Sequence, residues 1–333
     1  MFLLLCRDTP FDPKGETMSN QPSAPTQVAL SNKRPSSLAM KLKNFTVPFF
    51  MMAPFLVLFL VFTVIPVFWS LYLSFTEYNA IQAPRFIGTQ NYEELLADPR
   101  FFKALSNTTF YVVTSVVLSN VLGLALAMVF GSQKWSDQFF RSVFFLPSIA
   151  GGLAITAVWK WIFNSEDFGL MNTILSIFHI DPVRFLGDPR YAMPITVVIA
   201  VWGGMGYSMI LYLAGLRSVP SELYEAAAID GANPTQRFFR ITIPLLKPTI
   251  LFVVITGIIG AFQVFDGPYL LFASVANTGG ILDSGLTLVM LLFDKGFRLL
   301  ELGKASALAW ILLVIIFVLT LINMRLGRSN QES

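Results

Sequence analysis

Cysteine and histidine are almost absent from this sequence. Its 333 residues include one of each, Cys6 and His179. One cysteine excludes an internal disulfide and a cysteine-rich metal site, and a lone histidine does not furnish a zinc set. Charge is scarce as well. Charged residues make up 13% of the chain, against about 25% in an ordinary soluble domain. The formal net charge of +3 is spread over several loops, which leaves no footprint for nucleic acid. There is no G-x-x-x-x-G-K-[ST] phosphate loop. "LGKAS" at Leu302–Ser306 comes nearest, without the first glycine and without Ser or Thr directly after the lysine. H-E-x-x-H and G-x-S-x-G are missing, and no pair of acids within an apolar run could hold a metal. These absences point away from catalytic residues, from a bound metal or cofactor, and from ATP hydrolysis by this chain.

What the chain has is apolar sequence: 55% hydrophobic residues, with 32 phenylalanines and 19 prolines. A bilayer core needs roughly 20 apolar residues per helix. Six runs qualify: Val47–Phe75, Leu105–Phe130, Phe139–Phe163, Ala192–Leu216, Leu245–Phe272 and Lys304–Met324. The fifth is the least continuous, because Gln263, Asp266 and Pro268 interrupt it. The expectation is an all-α membrane protein with six transmembrane helices. Its parts would be a disordered tail over 1–44, a first span and outer loop over 45–104, a five-helix domain over 105–324 and a short tail over 325–333. The opening "MFLLLCRDTPFDPKGET" is too short in its apolar part for a signal core. Met18 is therefore the expected start of translation.

Six spans place both termini on one side, and Lys and Arg decide which. With the termini inside, twelve cations fall inside and nine outside, ignoring the first seventeen residues. Both termini are thus expected to be cytoplasmic. Between spans one and two, Asp98 can cap a helix with Pro99 at its first position and Phe101, Phe102 and Leu105 on one face. It reads either as a helix lying on the outer membrane surface or as the start of span two. Only Asp266 lies well inside a run, with Lys160 near an end. A proton- or sodium-driven pump would carry more charge, and no repeat relates the two halves. Energy for transport would have to come from another protein.

The segment between spans four and five, "ELYEAAAIDGANPTQRFFRITIPLLKP", suggests how. Ser221 can cap a helix whose first turns carry Glu222 and Glu225. Leu223, Ala226, Ala227 and Asp230 share a mostly small face. Gly231 suits the left-handed position past a helix end. Asn233-Pro234 starts a second helix, which Pro244 and Pro248 are expected to break. The result reads as a cytoplasmic knob for a partner to grip, or as an ordinary amphipathic loop.

The spacing Glu225-Ala226-Ala227, Gly231, Ile241, Pro244 resembles the EAA loop of permease subunits of bacterial ATP-binding-cassette importers. The usual leucine before that proline is Ile243 here. "RSVFFLPSIAGGLAITAVWKWIFNSEDFGLMN" and "YLAGLRSVPSELYEAAAIDGA" are similar to the carbohydrate-uptake branch, in the type related to the larger maltose-permease subunit. The TGGGP stretch after span five reads "NTGGILDSG" here. The resemblance implies a type I ABC importer permease in a bacterial inner membrane, with residues 217–247 as its EAA coupling loop. In that loop Glu225, Ala226, Ala227, Asp230, Gly231, Ile241 and Pro244 would meet the ATPase. It further implies a second permease subunit, two ATPase copies that bind ATP and Mg, and an extracytoplasmic sugar-binding protein. Membrane lipid surrounds such a chain, and sugar would be its cargo.

A sugar path calls for aromatic faces with amides and hydroxyls. Span four offers Trp202, Gly204 and Tyr207, which match the maltose-type pattern; Gly203 and Gly206 beside them leave room or let helices approach. Span five offers Gln263 and Asp266 among Phe262, Phe265 and Tyr269. Alignment with the family adds Gly260 and Ala261. Asp266 reads as path-lining or as a hydrogen-bonding group between helices. Trp159 and Trp161 read as interface anchors. The rival readings are an importer of the same build for glycerol phosphate or a polyamine, a stand-alone carrier, and an intramembrane enzyme.

Overall fold

Two residue pairs start the two longest helices in the same way. In the computed structural model, Asp98 accepts a hydrogen bond from the Arg100 amide at 2.8 Å, and Pro99 opens helix α3 (Pro99–Val129). Asp188 accepts from the Arg190 amide at 2.9 Å, and Pro189 opens α7 (Pro189–Arg217). An aspartate satisfies an otherwise orphaned N–H, and proline at the first helical position has none to satisfy. The segment at Asp98 is therefore the head of span two, and the surface-helix reading is corrected. A separate short helix, α2 (Gln90–Ala97), precedes it.

The structure describes residues 50–132, 134–150, 152–166, 168–273 and 278–328. The expected disordered tail and the Met18 start lie outside them. The chain divides into two compact units, Met1–Leu60 and Val61–Ser333. The described part of the first is the beginning of an apolar helix, α1, that runs over Phe50–Ser74. The second holds the other elements. A two-stranded antiparallel hairpin, β1 (Thr76–Glu77) and β2 (Arg85–Phe86), follows α1. Then, after α2 and α3, come α4 (Trp135–Ile149), α5 (Gly152–Ile162), α6 (Leu170–Ile177) and α7. The chain continues through α8 (Ser221–Ile229), α9 (Pro234–Arg237), α10 (Ile243–Phe262), α11 (Asp266–Phe272), α12 (Leu288–Phe293) and α13 (Leu302–Arg328).

Among the described residues, five helical stretches are long and apolar enough to cross a membrane, and the bent pair α4–α5, taken as one span, makes a sixth. The third span is thus broken rather than continuous over Phe139–Phe163. Pro147 lies inside α4 and Ala150 leaves the helix with ψ 139°, so α5 sets off at 97° to α4. The fifth span begins earlier than expected and runs over Pro234–Phe272. Pro244 and Pro248 do not end it. The turn Phe238–Thr242 is widened to a π-helix, with the Ile243 amide bonded to the Phe238 carbonyl. A widened turn makes room ahead of a proline ring that can neither donate nor fit a tight turn. The same device appears in α1, where the π turn Leu60–Val64 precedes Pro66.

The core forms where α3, α7, α10 and α13 meet. Val112 and Val116 of α3 pack with Val197 and Val201 of α7, Phe262 of α10 and Leu308 and Leu312 of α13. Small residues let the backbones approach. A Cβ on Gly123 would press on Ser208 of α7, and one on Gly206 would strike the Phe144 carbonyl of α4. Outward-facing positions such as Val113, Val117 and Phe317 are more than half exposed, as suits helices bathed in lipid.

At the end of the bundle where α3 begins, the segment before α12 is clamped onto that helix. Asn107 donates to the carbonyls of Asp283 (2.9 Å) and Leu286 (3.0 Å), and Thr108 accepts from the Leu288 amide (3.0 Å). Arg100 reaches Asp283 and Asp294, both at 2.9 Å. Asp294, which is buried, also takes Arg298 at 3.0 Å.

Candidate functional site

Alternation of the spans puts α8 at the opposite end from that clamp. No residue of α8 is buried, and Ile229 at its tip is 87% exposed. Ser221 is the first helical residue rather than the cap. The cap position is Pro220, in extended conformation, and no side chain closes the helix start. The other end closes as Gly231 suggested. Gly231 has φ +77° and donates to Ala228 at 3.1 Å, while Ala232 donates to Ala227 at 2.9 Å. That pair of bonds is a Schellman closure, which satisfies two carbonyls at a helix end. Asn233 and Gln236 then cap each other reciprocally (2.8 and 2.9 Å) and start α9.

The bend between α8 and α9 is thus fixed by backbone bonds on both sides. Tyr224 ties α8 to the π turn through Thr242, oxygen to oxygen 2.9 Å. Glu225, Ala226 and Asp230 are exposed and Ala227 is partly covered; Ile241 is half-buried in the π turn, and Pro244 is exposed just beyond it. Arg237 Nε is closed off from water and has no hydrogen-bond partner among the described residues. The arrangement is a rigid, small-faced projection joined directly to span five. Displacing it would tilt α10.

The second feature is a cleft of about 370 Å³ between α3, α7 and α10. It brings Gly204, Tyr207, Gly260 and Ala261 together. It leaves out three of the sequence candidates. Trp202 stacks edge-on against Trp159 of α5, ring centroids 5.6 Å apart. Trp159 is therefore an internal packing residue rather than an interface anchor. Gln263 and Asp266 lie at a break between α10 and α11, and both are exposed. Asp266 is the first residue of α11, not a buried mid-span acid, and its carboxylate makes no hydrogen bond among the described residues. The span-four glycines divide as well. Gly206 permits close packing, Gly203 meets open space, and Gly204 faces Ser119 across the cleft.

Span two supplies the wall that the sequence reading passed over. Tyr111, Ser115, Ser119 and Asn120 line the cleft. The first three recur every fourth position within an apolar run, which places them on one helical face. Polar residues at that spacing inside a span were the available signal. Asn120 is held in place, accepting from Tyr212 at 2.5 Å and donating to the Val116 carbonyl at 2.7 Å. Ser208 and Thr256 add hydroxyls, and among the described residues no Lys, Arg, Asp or Glu lines the cleft. It can hydrogen-bond and stack on a neutral polar molecule, and it has no charge to hold an ion.

The fold and the cleft define a multi-pass helical membrane protein of the importer-permease type, and comparison with known proteins makes this specific. The chain belongs to the family described as binding-protein-dependent transport system inner membrane component, whose model matches residues 119–330. The arabinooligosaccharides transport system permease protein AraP of Bacillus subtilis is 34% identical over 283 residues, 85% of this chain and 88% of that one. The trehalose/maltose transport system permease protein MalF of Thermococcus litoralis is 31% identical, over 88% of this chain and 97% of that one. The lactose transport system permease protein LacF of Rhizobium radiobacter is 34% identical, over 84% and 93% respectively. A crystal structure of a bacterial ABC transporter that imports the acidic polysaccharide alginate matches with a TM-score of 0.76 at 24% identity, over 88% of this chain. That likeness establishes the fold. The chain is an inner-membrane permease subunit, a transport component rather than a catalyst.

Proposed function

We propose that this chain forms half of the translocation path of an ATP-driven importer for a neutral di- or oligosaccharide. The observation that carries the reading is the uncharged cleft, whose hydroxyls, amide and two tyrosines match what sugar rings ask for. Relatives named for arabinooligosaccharides, trehalose/maltose and lactose support the same class. A glycerol phosphate or an acidic polysaccharide would call for cations in the cleft, and a polyamine for carboxylates.

The partners follow from what the chain has at each end. A second permease subunit would close the open side of the cleft. Two ATPase subunits, which bind the ATP and Mg, would grip α8 and its counterpart on that second permease. An extracytoplasmic binding protein would deliver sugar to the clamped end. Glu225, Ala226, Ala227, Asp230, Gly231, Ile241 and Pro244 are the coupling residues of this scheme. Gly204, Tyr207, Gly260 and Ala261 would line the path, now joined by Tyr111, Ser115 and Ser119. Trp202, Gln263 and Asp266 would act from its edges. Both termini and the coupling loop are cytoplasmic in this reading.

The test is purification from native membranes in mild detergent after gentle cross-linking, with mass spectrometry of what accompanies the chain. An ATPase and a second multi-span subunit are expected, together with ATP hydrolysis stimulated by sugar and binding protein. Recovery of the chain alone would overturn the reading in favour of a stand-alone carrier.

A further inference from the structure

The clamped end carries a second cavity, of about 540 Å³, which shares no residue with the cleft. One wall is the β1–β2 hairpin, with Tyr78, Asn79, Gln82 and the Glu77–Arg85 ion pair. The other is the turn into α13, with Glu301 and Lys304. Pockets for small ligands run from about 300 to 1,000 Å³. The two acids balance the two bases, so the cavity presents no net charge to an ion. It does present a phenol, amides, carboxylates, a guanidinium and an ammonium, donors and acceptors of every kind.

Several of these groups have no protein partner among the described residues. Asn79 uses its oxygen on the amides of Ile81 (3.1 Å) and Gln82 (2.9 Å), and its NH₂ has no partner among the described residues. The Tyr78 and Gln82 side chains make no hydrogen bond among the described residues either. Glu301 Oε2 is shut off from water and accepts no hydrogen bond, with only the Lys295 ammonium 3.5 Å away. The walls are nonetheless rigid. Asn91 donates to the carbonyls of Ser74 (2.9 Å) and Thr76 (2.8 Å), and a Cβ on Gly303 would strike the Thr76 carbonyl. Ala80 (φ 63°) and Leu300 (φ 57°) hold left-handed backbone on either wall. For residues other than glycine this backbone is strained, and such strain gathers at ligand clamps.

We propose that this cavity is a second saccharide site, outside the path, which takes a neutral di- or trisaccharide at the end away from α8. Hydroxyls would meet the free NH₂ of Asn79 and the Gln82 amide, and Tyr78 would offer a ring face and a phenol. The ligand class is argued from the cavity; its link to uptake rests on the import reading.

The test uses the full chain in nanodiscs, carrying Cys6→Ser and Ala83→Cys, on the cavity wall but outside the proposed contacts, and follows the rate of maleimide labelling. Maltotriose, lactose and arabinotriose are the probes, and glycine betaine is the control. At least one saccharide is expected to slow labelling about fivefold once most sites are filled, and betaine to leave it unchanged. Adding Tyr78→Ala should abolish the protection, and adding Tyr207→Ala in the cleft should not. Labelling as fast with each of the three saccharides as without any would overturn the proposal. So would loss of protection with Tyr207→Ala, which would mean a signal relayed from the cleft. If no ATPase accompanies the purified chain, the import reading fails, and the labelling result still decides this one.

Discussion

The two ends of the bundle treat their charges in opposite ways. At the end where α3 and α13 begin, Arg85, Arg100, Arg190, Lys295, Arg298 and Lys304 are all paired with acids. At the α8 end, Lys134, Arg141, Arg217, Arg237, Arg240, Lys247 and Arg325 make no ion pair with an acid among the described residues, and neither do Glu222, Glu225 or Asp230. The first end pairs most of its cations with acids, Lys103, Lys160 and Arg184 excepted among the described residues, and the other has left charges of both signs for something else to meet. The difference also sharpens the orientation argument. Twelve cations against nine is a modest bias, but most of the nine are neutralised by partners, so the free positive charge collects at the α8 end, the cytoplasmic end in the proposed import reading.

If that contrast is functional, breaking the α8 end should abolish transport and leave the fold intact. Gly231→Pro should have the largest effect. Proline cannot adopt φ +77° and would remove the amide that bonds Ala228. A mismatch of this kind costs about 3 kcal/mol, so uptake should fall by roughly tenfold or more at equal membrane abundance. Normal uptake would sink the coupling role. Ile229→Asp comes next. Ile229 is 87% exposed, and full burial of such a side chain in a partner contributes about 1.5–3 kcal/mol. Retention of the ATPase in a pull-down should fall, and the thermal midpoint of the isolated chain should not move. Unchanged retention would mean that the tip of α8 touches nothing.

How far each end could be read from sequence depends on whether its structure is local. The spans were legible because each needs a long apolar run. The Asp98-Pro99 helix start and the Gly231 closure were legible because a few adjacent residues set them. The widened turns ahead of Pro66 and Pro244 were not, since a proline in a helical run reads as a break unless the neighbouring turn yields. Trp202 pairs with Trp159 across 43 positions, and Arg100 with Asp294 across 194; such partners are set by packing, which no local pattern records. The polar stripe Tyr111, Ser115, Ser119 was local and visible. Small hydroxyl residues in an apolar run also serve as ordinary helix-packing positions, so the stripe alone does not mark a cleft.

The clamped end should respond to the reverse experiment. Arg100→Ala would leave buried Asp294 with Arg298 alone and Asp283 without its cation. A hydrogen bond to a charged group contributes about 1.5–3 kcal/mol, so the thermal midpoint in detergent should drop clearly. ATPase retention should stay as it was. Loss of retention would mean that the two ends are coupled through the bundle, and the contrast drawn here would fail.

The smallest effect should come from acid. The side-chain hydrogen bond from Lys304, and then that from Gln90, hold the Glu94 carboxyl below the usual glutamate range. A carboxyl depressed in the folded state contributes stability above its unfolded pKa, about 4.3, and loses it as pH falls further. Glu94 lies on α2, and through Lys304 it tethers that helix to the start of α13. Melting profiles of the wild type and Glu94→Gln should therefore differ slightly at neutral pH and converge as pH drops below about 4. The pair is partly exposed, with side chains 26% and 43% accessible, so salt should shrink the difference as acid does. If the two profiles stay apart in acid, the tether is held by packing rather than charge. The clamped end would then owe its closure to Asn91, Asn107 and Thr108, whose hydrogen bonds no proton or salt removes.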